Sequence, residues 1–514
     1  MEQRRVYDAS RDWSVKALSF MTCSFGGVGV FSLILVLFGE YLVPGNLGSY
    51  ASQRFTFAII VGVLSVSSII AWALKGPLEV SCLAKLLFPT VLLCSAFLLL
   101  ALPFRENAYV WAEPGMYAFF FLTMNLVGLF LKGTGMTMVF VRSFLIGMVA
   151  ACTIYGLSCV NIYLFALVDG NPGFGSHIPH GFGSIRYWSH IATWCLPLFP
   201  LAVLIGPLKH KRTWRLFVLA GAGLWWWVLI QSMGRGSLLG IAFGVFLATL
   251  LFGKRASLWL KALLLQLAVG IFLWLLLSIL IPSALYDGEN QLRVFHSGAS
   301  GRLPLFLEAW QRSLQNFPFG LGPQSWLTVE PLTTDYASSL KFGHPHNMYL
   351  LWAAEYGWLL LLFLGLLVLQ AIRYFWVVRA AVLSGATGKT SDEFMYSLVA
   401  FTASVSATLF HGGVSAVFLA PGSMLIGLFV LIMFWALIVP VKSNALTSTG
   451  MRKRFGLHST IVLILSVALF SSWLLWVQVV SNYYIDMRAD SKSYAEEVGK
   501  ATYPRFWMHG NFPR

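Results

Sequence analysis

Charge is scarce in this chain. Only 11% of its 514 residues are Asp, Glu, Lys or Arg, and the acidic share is the smaller one, 20 against 35 basic. An ordinary soluble domain has about a quarter of its residues charged. With 58% of residues apolar, too little polar side chain remains to cover a water-facing surface, which excludes a soluble enzyme. A cysteine framework is missing too: Cys23, Cys82, Cys94, Cys152, Cys159 and Cys195 all fall in apolar stretches and read as buried thiols, not as a disulfide or zinc set. Nothing at the start resembles a cleaved leader. Polar residues fill positions 1–16, and the apolar stretch that follows is too long for a signal core, so it is expected to remain as a span.

What the chain has in abundance is long hydrophobic runs. A helix needs roughly 20 apolar residues to cross about 30 Å of hydrocarbon. About thirteen stretches of that kind succeed one another between 17–43 and 458–480. The expected fold is therefore all-α: a polytopic membrane protein of about 12–13 transmembrane helices. Residues 1–480 form the helical bundle, a large loop at 283–346 interrupts it, and 481–514 form a tail. The formal charge of +15 invites a nucleic-acid partner until the cations are located. With the N-terminus inside, the inward segments collect 21 of the 35, from Arg4, Arg5, Arg11 and Lys16 to Lys442, Arg452, Lys453 and Arg454. Short outward loops carry mostly single cations, Arg54, Arg105, Arg186 and Arg235. That asymmetry is the positive-inside bias. The surplus thus reflects membrane orientation, and no nucleic-acid partner is expected.

The outward loop at 283–346 holds most of the chemistry. After a flexible run, Ser297-Gly-Ala-Ser-Gly301, comes a segment in which Leu303, Phe306, Leu307, Trp310, Leu314 and Phe317 recur at helical spacing. Pro304 suits the first turn of a helix. The spacing predicts an amphipathic helix with Arg302 at its beginning, lying on the membrane or on the bundle, and ending at Pro318-Phe-Gly-Leu-Gly322. The loop closes on His344-Pro-His346-Asn347 just before an apolar run. Pro345 biases His344 away from helix, so two imidazoles are expected at a helix entrance where free backbone N–H groups favour anions. They read either as ordinary interfacial histidines or as part of a site. A metal is disfavoured, because no cysteine or tight carboxylate cluster stands beside them. Glu355, two turns on, is either functional or a buried helix-pairing group.

Two more arginines stand at outward span ends, in Gly181-Phe-Gly-Ser-Ile-Arg186-Tyr-Trp-Ser-His190 and in Gln231-Ser-Met-Gly-Arg235-Gly-Ser237. Such an arginine is a lipid anchor or an anion ligand, and residue type alone leaves both open. Taken together, Arg186, Arg235 and Arg302 share one membrane face with His344 and His346. Guanidinium forks match phosphate oxygens, so a lipid-linked phosphate or pyrophosphate is their natural partner. Tyr483, Tyr484, Tyr494, Tyr503 and Trp507 in the tail are suited to pack on sugar rings or on lipid headgroups, and headgroups are the favoured expectation.

These residues resemble the O-antigen ligase and polymerase superfamily of bacterial inner-membrane glycosyltransferases. The likeness rests on Ser232-Met-Gly-Arg235-Gly-Ser237, on Ser300-Gly-Arg302 with Trp310 and Asn316-Phe-Pro-Phe-Gly-Leu-Gly322, and on His344-Pro-His346-Asn347 with Glu355-Tyr-Gly357. It spans roughly residues 180–370. The resemblance implies a GT-C-like bundle with a periplasmic loop and a glycan carried on undecaprenyl pyrophosphate. The acceptor hydroxyl belongs to lipid A–core or to another glycan, and transfer is inverting, without metal or other cofactor. By motif, His346 and Arg302 would be catalytic, while Arg235, Arg186, His344 and Asn347 would bind pyrophosphate or glycan. A lipid-linked sugar transporter is the alternative from another class. Transporters usually carry charge near the midplane and internal repeats, and this chain has neither pattern.

Overall fold

The computed structural model describes residues 24–39, 49–75, 80–170, 177–182, 184–285, 301–339, 341–384, 392–440, 455–498, 503–510 and 512. The polar start at 1–16, Cys23, residues 297–300 of the flexible run and the basic segments at Lys389 and at 442–454 lie outside these residues.

Helices account for the regular structure: α1 (Ser24–Gly39), α2 (Tyr50–Lys75), α3 (Val80–Ala101), α4 (Ala112–Thr134), α5 (Thr137–Val168), α6 (Ile185–Cys195), α7 (Arg212–Gln231), α8 (Arg235–Phe252), α9 (Ser257–Trp274), α10 (Arg302–Gln315), α11 (Met348–Ser384), α12 (Asp392–Gly412), α13 (Pro421–Ile438) and α14 (Phe455–Val498). Among the described residues, eleven helical segments are long and apolar enough to cross a membrane, and α1 is a shorter apolar helix. One of the eleven, Arg235–Leu285, runs for 51 residues. It is broken at Gly253, whose φ is +53°, so α8 and α9 are separate arms. The all-α, polytopic expectation holds.

α13 lies at the centre, with all but one of its residues buried, and packs on α4, α6, α2 and α12. The periphery is the reverse: α9, α11 and α14 present Leu264, Leu265, Phe272, Leu362, Leu369, Leu463 and Leu475 outward. A bundle that is greasy inside and out is what a lipid solvent permits.

The loop helix α10 has the predicted boundaries, and its orientation settles between the two expected. Leu303, Leu307, Trp310, Leu314 and Phe317 are exposed. The buried face carries Glu308 and Arg312 instead. Arg312 Nε donates to Glu308 Oε1 at 2.6 Å. Glu308 also accepts from the N–H groups of Leu332 and Thr333, and Arg312 donates to the carbonyls of Ser325 and Val329. A saturated ion pair thus nails the loop together, while most of the apolar stripe stays exposed and Trp310 meets Trp358 of α11 edge to face. The hydrophobic stripe marks the inside only when the solvent is water.

Candidate active site

Three backbone devices bring the polar groups to one end of the bundle. The first is the hinge between α7 and α8, where Met233 takes a φ of +53° and Arg235 becomes the first residue of α8. Gly236, Gly240 and Gly244 then press α8 against α12. A Cβ on Gly240 would come within 2.6 Å of Ala407 O, and one on Gly244 within 2.2 Å of Ala403 O. Small residues every fourth position allow this close approach in an apolar bundle.

The second device is a break in α11. Gly357 has φ +81° and ψ 174°, which interrupts the helical ladder and frees the carbonyls of Ala354 and Glu355. The Pro318–Gly322 turn occupies them: Leu321 N donates to Ala354 O and Gly322 N to Glu355 O, each at 2.9 Å, and Leu359 N returns to Pro318 O at 3.2 Å. Side chains are excluded here, since a Cβ on Gly320 would sit 2.1 Å from Glu355 O. Two motifs distant in sequence, Phe319-Gly-Leu-Gly322 and Glu355-Tyr-Gly357, are therefore the two halves of one joint that docks α10 beside the start of α11.

The third is the His344–Asn347 entrance. Asn347 Oδ1 accepts from the N–H groups of Tyr349 and Leu350, both at 3.0 Å, and so caps α11. His346 sits at φ +58°, a left-handed conformation uncommon for a side-chain-bearing residue and found disproportionately at functional sites. Its N–H donates to His344 Nδ1 at 3.2 Å, and the two rings meet edge to face at 4.5 Å. His344 thus holds its neighbour, and Asn347 starts the helix.

Arg186 Nη1 lies 3.4 Å from His346 Nε2. Arg302 Nη1 is anchored at 2.9 Å on Val414 O, in the α12–α13 connection. The electrostatics tie the group together. Burial pushes the Arg302 guanidinium down, and the positive charges of Arg186 and Arg235 push it further. Burial, then Arg186 and Arg302, lower His346 from 6.5 to about 3. His344 is driven well below its ordinary value by burial and by His346. Among the described residues, no carboxylate figures among the charges acting on Arg302 and His346. The arrangement is a cationic rim with a neutral imidazole inside it, suited to a multiply charged anion.

Sequence reasoning missed a second layer. His190 Nε2 lies 2.7 Å from Ser415 Oγ, His411 Nδ1 lies 3.0 Å from Thr193 Oγ1, and the two buried rings are 5.1 Å apart. This layer backs the α8 end, for a Cβ on Gly236 would meet His411 Nε2 at 2.8 Å. A lone histidine inside an apolar run was the signal.

The tail differs from expectation more sharply. α14 runs unbroken past residue 480 to Val498. Tyr483, Tyr494 and Trp507 are buried in protein, not set at headgroup level. Arg505 is fully buried between two acids, with Nη2 2.6 Å from Glu113 Oε2 and 2.7 Å from Glu355 Oε2. Glu355 is accordingly a pairing group. Arg54, expected as an outward loop cation, is buried as well and donates to Phe506 O at 3.0 Å and Leu419 O at 2.5 Å.

The fold is that of a many-helix membrane protein with arginines and histidines gathered where loop meets bundle. Residues 216–385 match the family model described as O-Antigen ligase. The match covers Arg235, Arg302, His344, His346 and Asn347, and leaves out Arg186 and the tail. No curated protein matches the chain.

Proposed function

We propose that this protein is a metal-independent glycosyltransferase of the O-antigen ligase type. It takes a glycan from undecaprenyl pyrophosphate at the periplasmic face of the bacterial inner membrane and joins it to an acceptor hydroxyl. The observation that carries the reading is the convergence of Arg186, Arg302 and His346, with Arg235 close enough to act on Arg302. Four stretches of chain contribute these groups, and together they concentrate positive charge around a neutral imidazole.

In the reaction the acceptor oxygen attacks the anomeric carbon, its bond to the pyrophosphate oxygen breaks, and undecaprenyl pyrophosphate departs. Charge grows on that leaving oxygen. Fixed guanidiniums aimed at it lower the barrier without reorganising, which is the largest contribution a site of this kind makes. His346 takes the acceptor proton. In the free protein its nitrogen is a weak base, because burial and two arginines oppose the imidazolium. A bound pyrophosphate neutralises those arginines and raises the imidazole's basicity. The base is thus strengthened when the donor is in place. Attack from the face opposite the leaving group inverts the anomeric centre. The exposed stripe of α10 and the apolar outer walls suit a polyprenyl carrier.

The deciding experiment supplies purified protein with a defined undecaprenyl-pyrophosphate glycan, offers lipid A–core and a second donor molecule in competition, and reads products by mass spectrometry. Glycan on lipid A–core supports the ligase. Elongated donor assigns a repeat-unit polymerase instead, and movement of donor across a bilayer without transfer discards the enzyme reading.

A further inference from the structure

The tail segment around Arg505 carries an assignment outside the matched domain and rests on the function proposed above. We propose that Arg505 is a positioning residue for transfer: it clamps the 343–346 segment so that His346 keeps its left-handed conformation facing Arg186.

The contacts run in one direction, from tail to catalytic loop. The Arg505 guanidinium spans Glu113 at the start of α4 and Glu355 in α11, with Nη1 2.8 Å from Glu355 Oε1 and 3.4 Å from Gly343 O. Glu355 Oε1 also accepts from Trp326 N at 3.2 Å, and Trp326 Nε1 donates to Phe342 O at 2.9 Å. The residues on either side of this clamp, Phe342 and Gly343, are thus held from two sides. Gly343 leaves no slack: a Cβ there would come within 2.6 Å of Pro504 O and 2.9 Å of Tyr503 O. The tail is itself fastened. Tyr50 Oη donates to Arg505 O at 2.5 Å and Arg54 Nε to Phe506 O at 3.0 Å. Three residues beyond Gly343, His346 holds an unfavourable φ, and such a conformation persists only when its surroundings over-determine it. The pyrophosphate-facing arginines reach the site from α6, α8 and α10 and are not among the groups Arg505 bonds.

A clamp on the base but not on the anion ligands separates two kinetic constants. In the full-length protein in detergent, Arg505→Ala is expected to lower kcat about a hundredfold, the loss that misplacing a reacting group by about 1 Å can bring. The donor KM should stay within about threefold of wild type. Arg505→Lys should recover little, because an ammonium cannot fork onto two carboxylates. Should Arg505→Ala fail to fold, Gly343→Ala tests the same clamp by pushing the strap away, with the same split expected. Wild-type kcat in Arg505→Ala, or a loss that follows the folded fraction with normal kcat per folded molecule in both Ala variants, overturns the assignment. Imidazole NMR separates this inference from the functional reading. If wild type transfers nothing, the function falls, and the clamp is then judged by whether Arg505→Ala moves the His344 and His346 signals while those of His190 and His411 stay. Unmoved His346 signals reject it.

Discussion

A single enclosed arginine, Arg505, and a group of three, Arg186, Arg235 and Arg302, stand at the same end of the bundle in opposite surroundings. Arg505 is enclosed by two carboxylates and a carbonyl, every one of them supplied by the protein. Arg186, Arg235 and Arg302 act on one another as like charges, and Arg186 lies against the neutral imidazole of His346. Burying a charge is costly unless it is paired. The first answers that cost with two carboxylates, and the second gathers like charges around an imidazole, an arrangement that favours an arriving anion. The same residue type therefore serves as structure where two carboxylates enclose it, and is proposed as a binding element where several guanidiniums gather.

The largest effects should come from the cluster of Arg186, Arg235, Arg302 and His346. Arg302→Ala and His346→Ala are each expected to reduce transfer about a thousandfold or more, since removing a general base or a fixed electrostatic donor costs about 10²–10⁴ in rate. Expression and detergent behaviour should remain normal. Turnover within tenfold of wild type in both variants would erase the distinction between the clusters.

The matched pair on α10 sharpens the comparison from the other side. Glu308 and Arg312 are both buried and saturated with partners. Arg312→Ala strands a carboxylate and is expected to cost about 3–5 kcal/mol of stability, read as a lower unfolding midpoint, while the donor KM per folded molecule changes little. A large rise in KM at unchanged stability would show the pair to be part of the binding surface. Arg235→Lys should be milder, about tenfold to a hundredfold in kcat/KM, because the charge survives and the bidentate fork does not. Full activity there would return Arg235 to the role of lipid anchor.

How much of this was readable in the sequence follows from the range over which each feature is encoded. Most of the spans, the α7–α8 hinge and the limits of α10 are local, set by hydropathy, by Gly234 and by Pro304, and they stand where expected, whereas the last helix runs on past 480 to Val498. The arginines were visible because charge is rare. The Glu113–Arg505 pair was not, since its members are 392 positions apart and each alone looks like a stray charge in an apolar context. The α10 face stayed ambiguous for a different reason. Periodicity finds a stripe but not the solvent it meets, and here the stripe faces outward. Gly357 was legible as part of a motif, yet its role in exposing two carbonyls to Leu321 and Gly322 appears only when both segments are in place.

The smallest expected effect concerns the proton and tests whether the arginines truly set the imidazole. An ordinary histidine is half protonated at 6.5; in the free protein His346 is held at about 3 by burial, Arg186 and Arg302. A lowered value favours the neutral form. Between pH 7.5 and 5 the free protein's His346 should therefore remain an acceptor, charging only as pH falls toward 3, whereas an unperturbed imidazole would be mostly charged at 5. Arg186→Gln removes one opposing cation and must move the titration upward, toward 6.5 and never further down. At pH 7.5 the imidazole of that variant stays mainly neutral, so the change in protonation alone alters activity there by less than about twofold. Donor binding changes the same quantity in the same direction by neutralising the arginines. Histidine-labelled protein titrated by NMR, with His346→Gln to assign the signal, reads this directly. A His346 titration near 6.5 in wild type, or one unmoved by Arg186→Gln, would mean that the cationic rim does not govern the base, and the contrast with the self-neutralised Arg505 cluster would then rest on geometry alone.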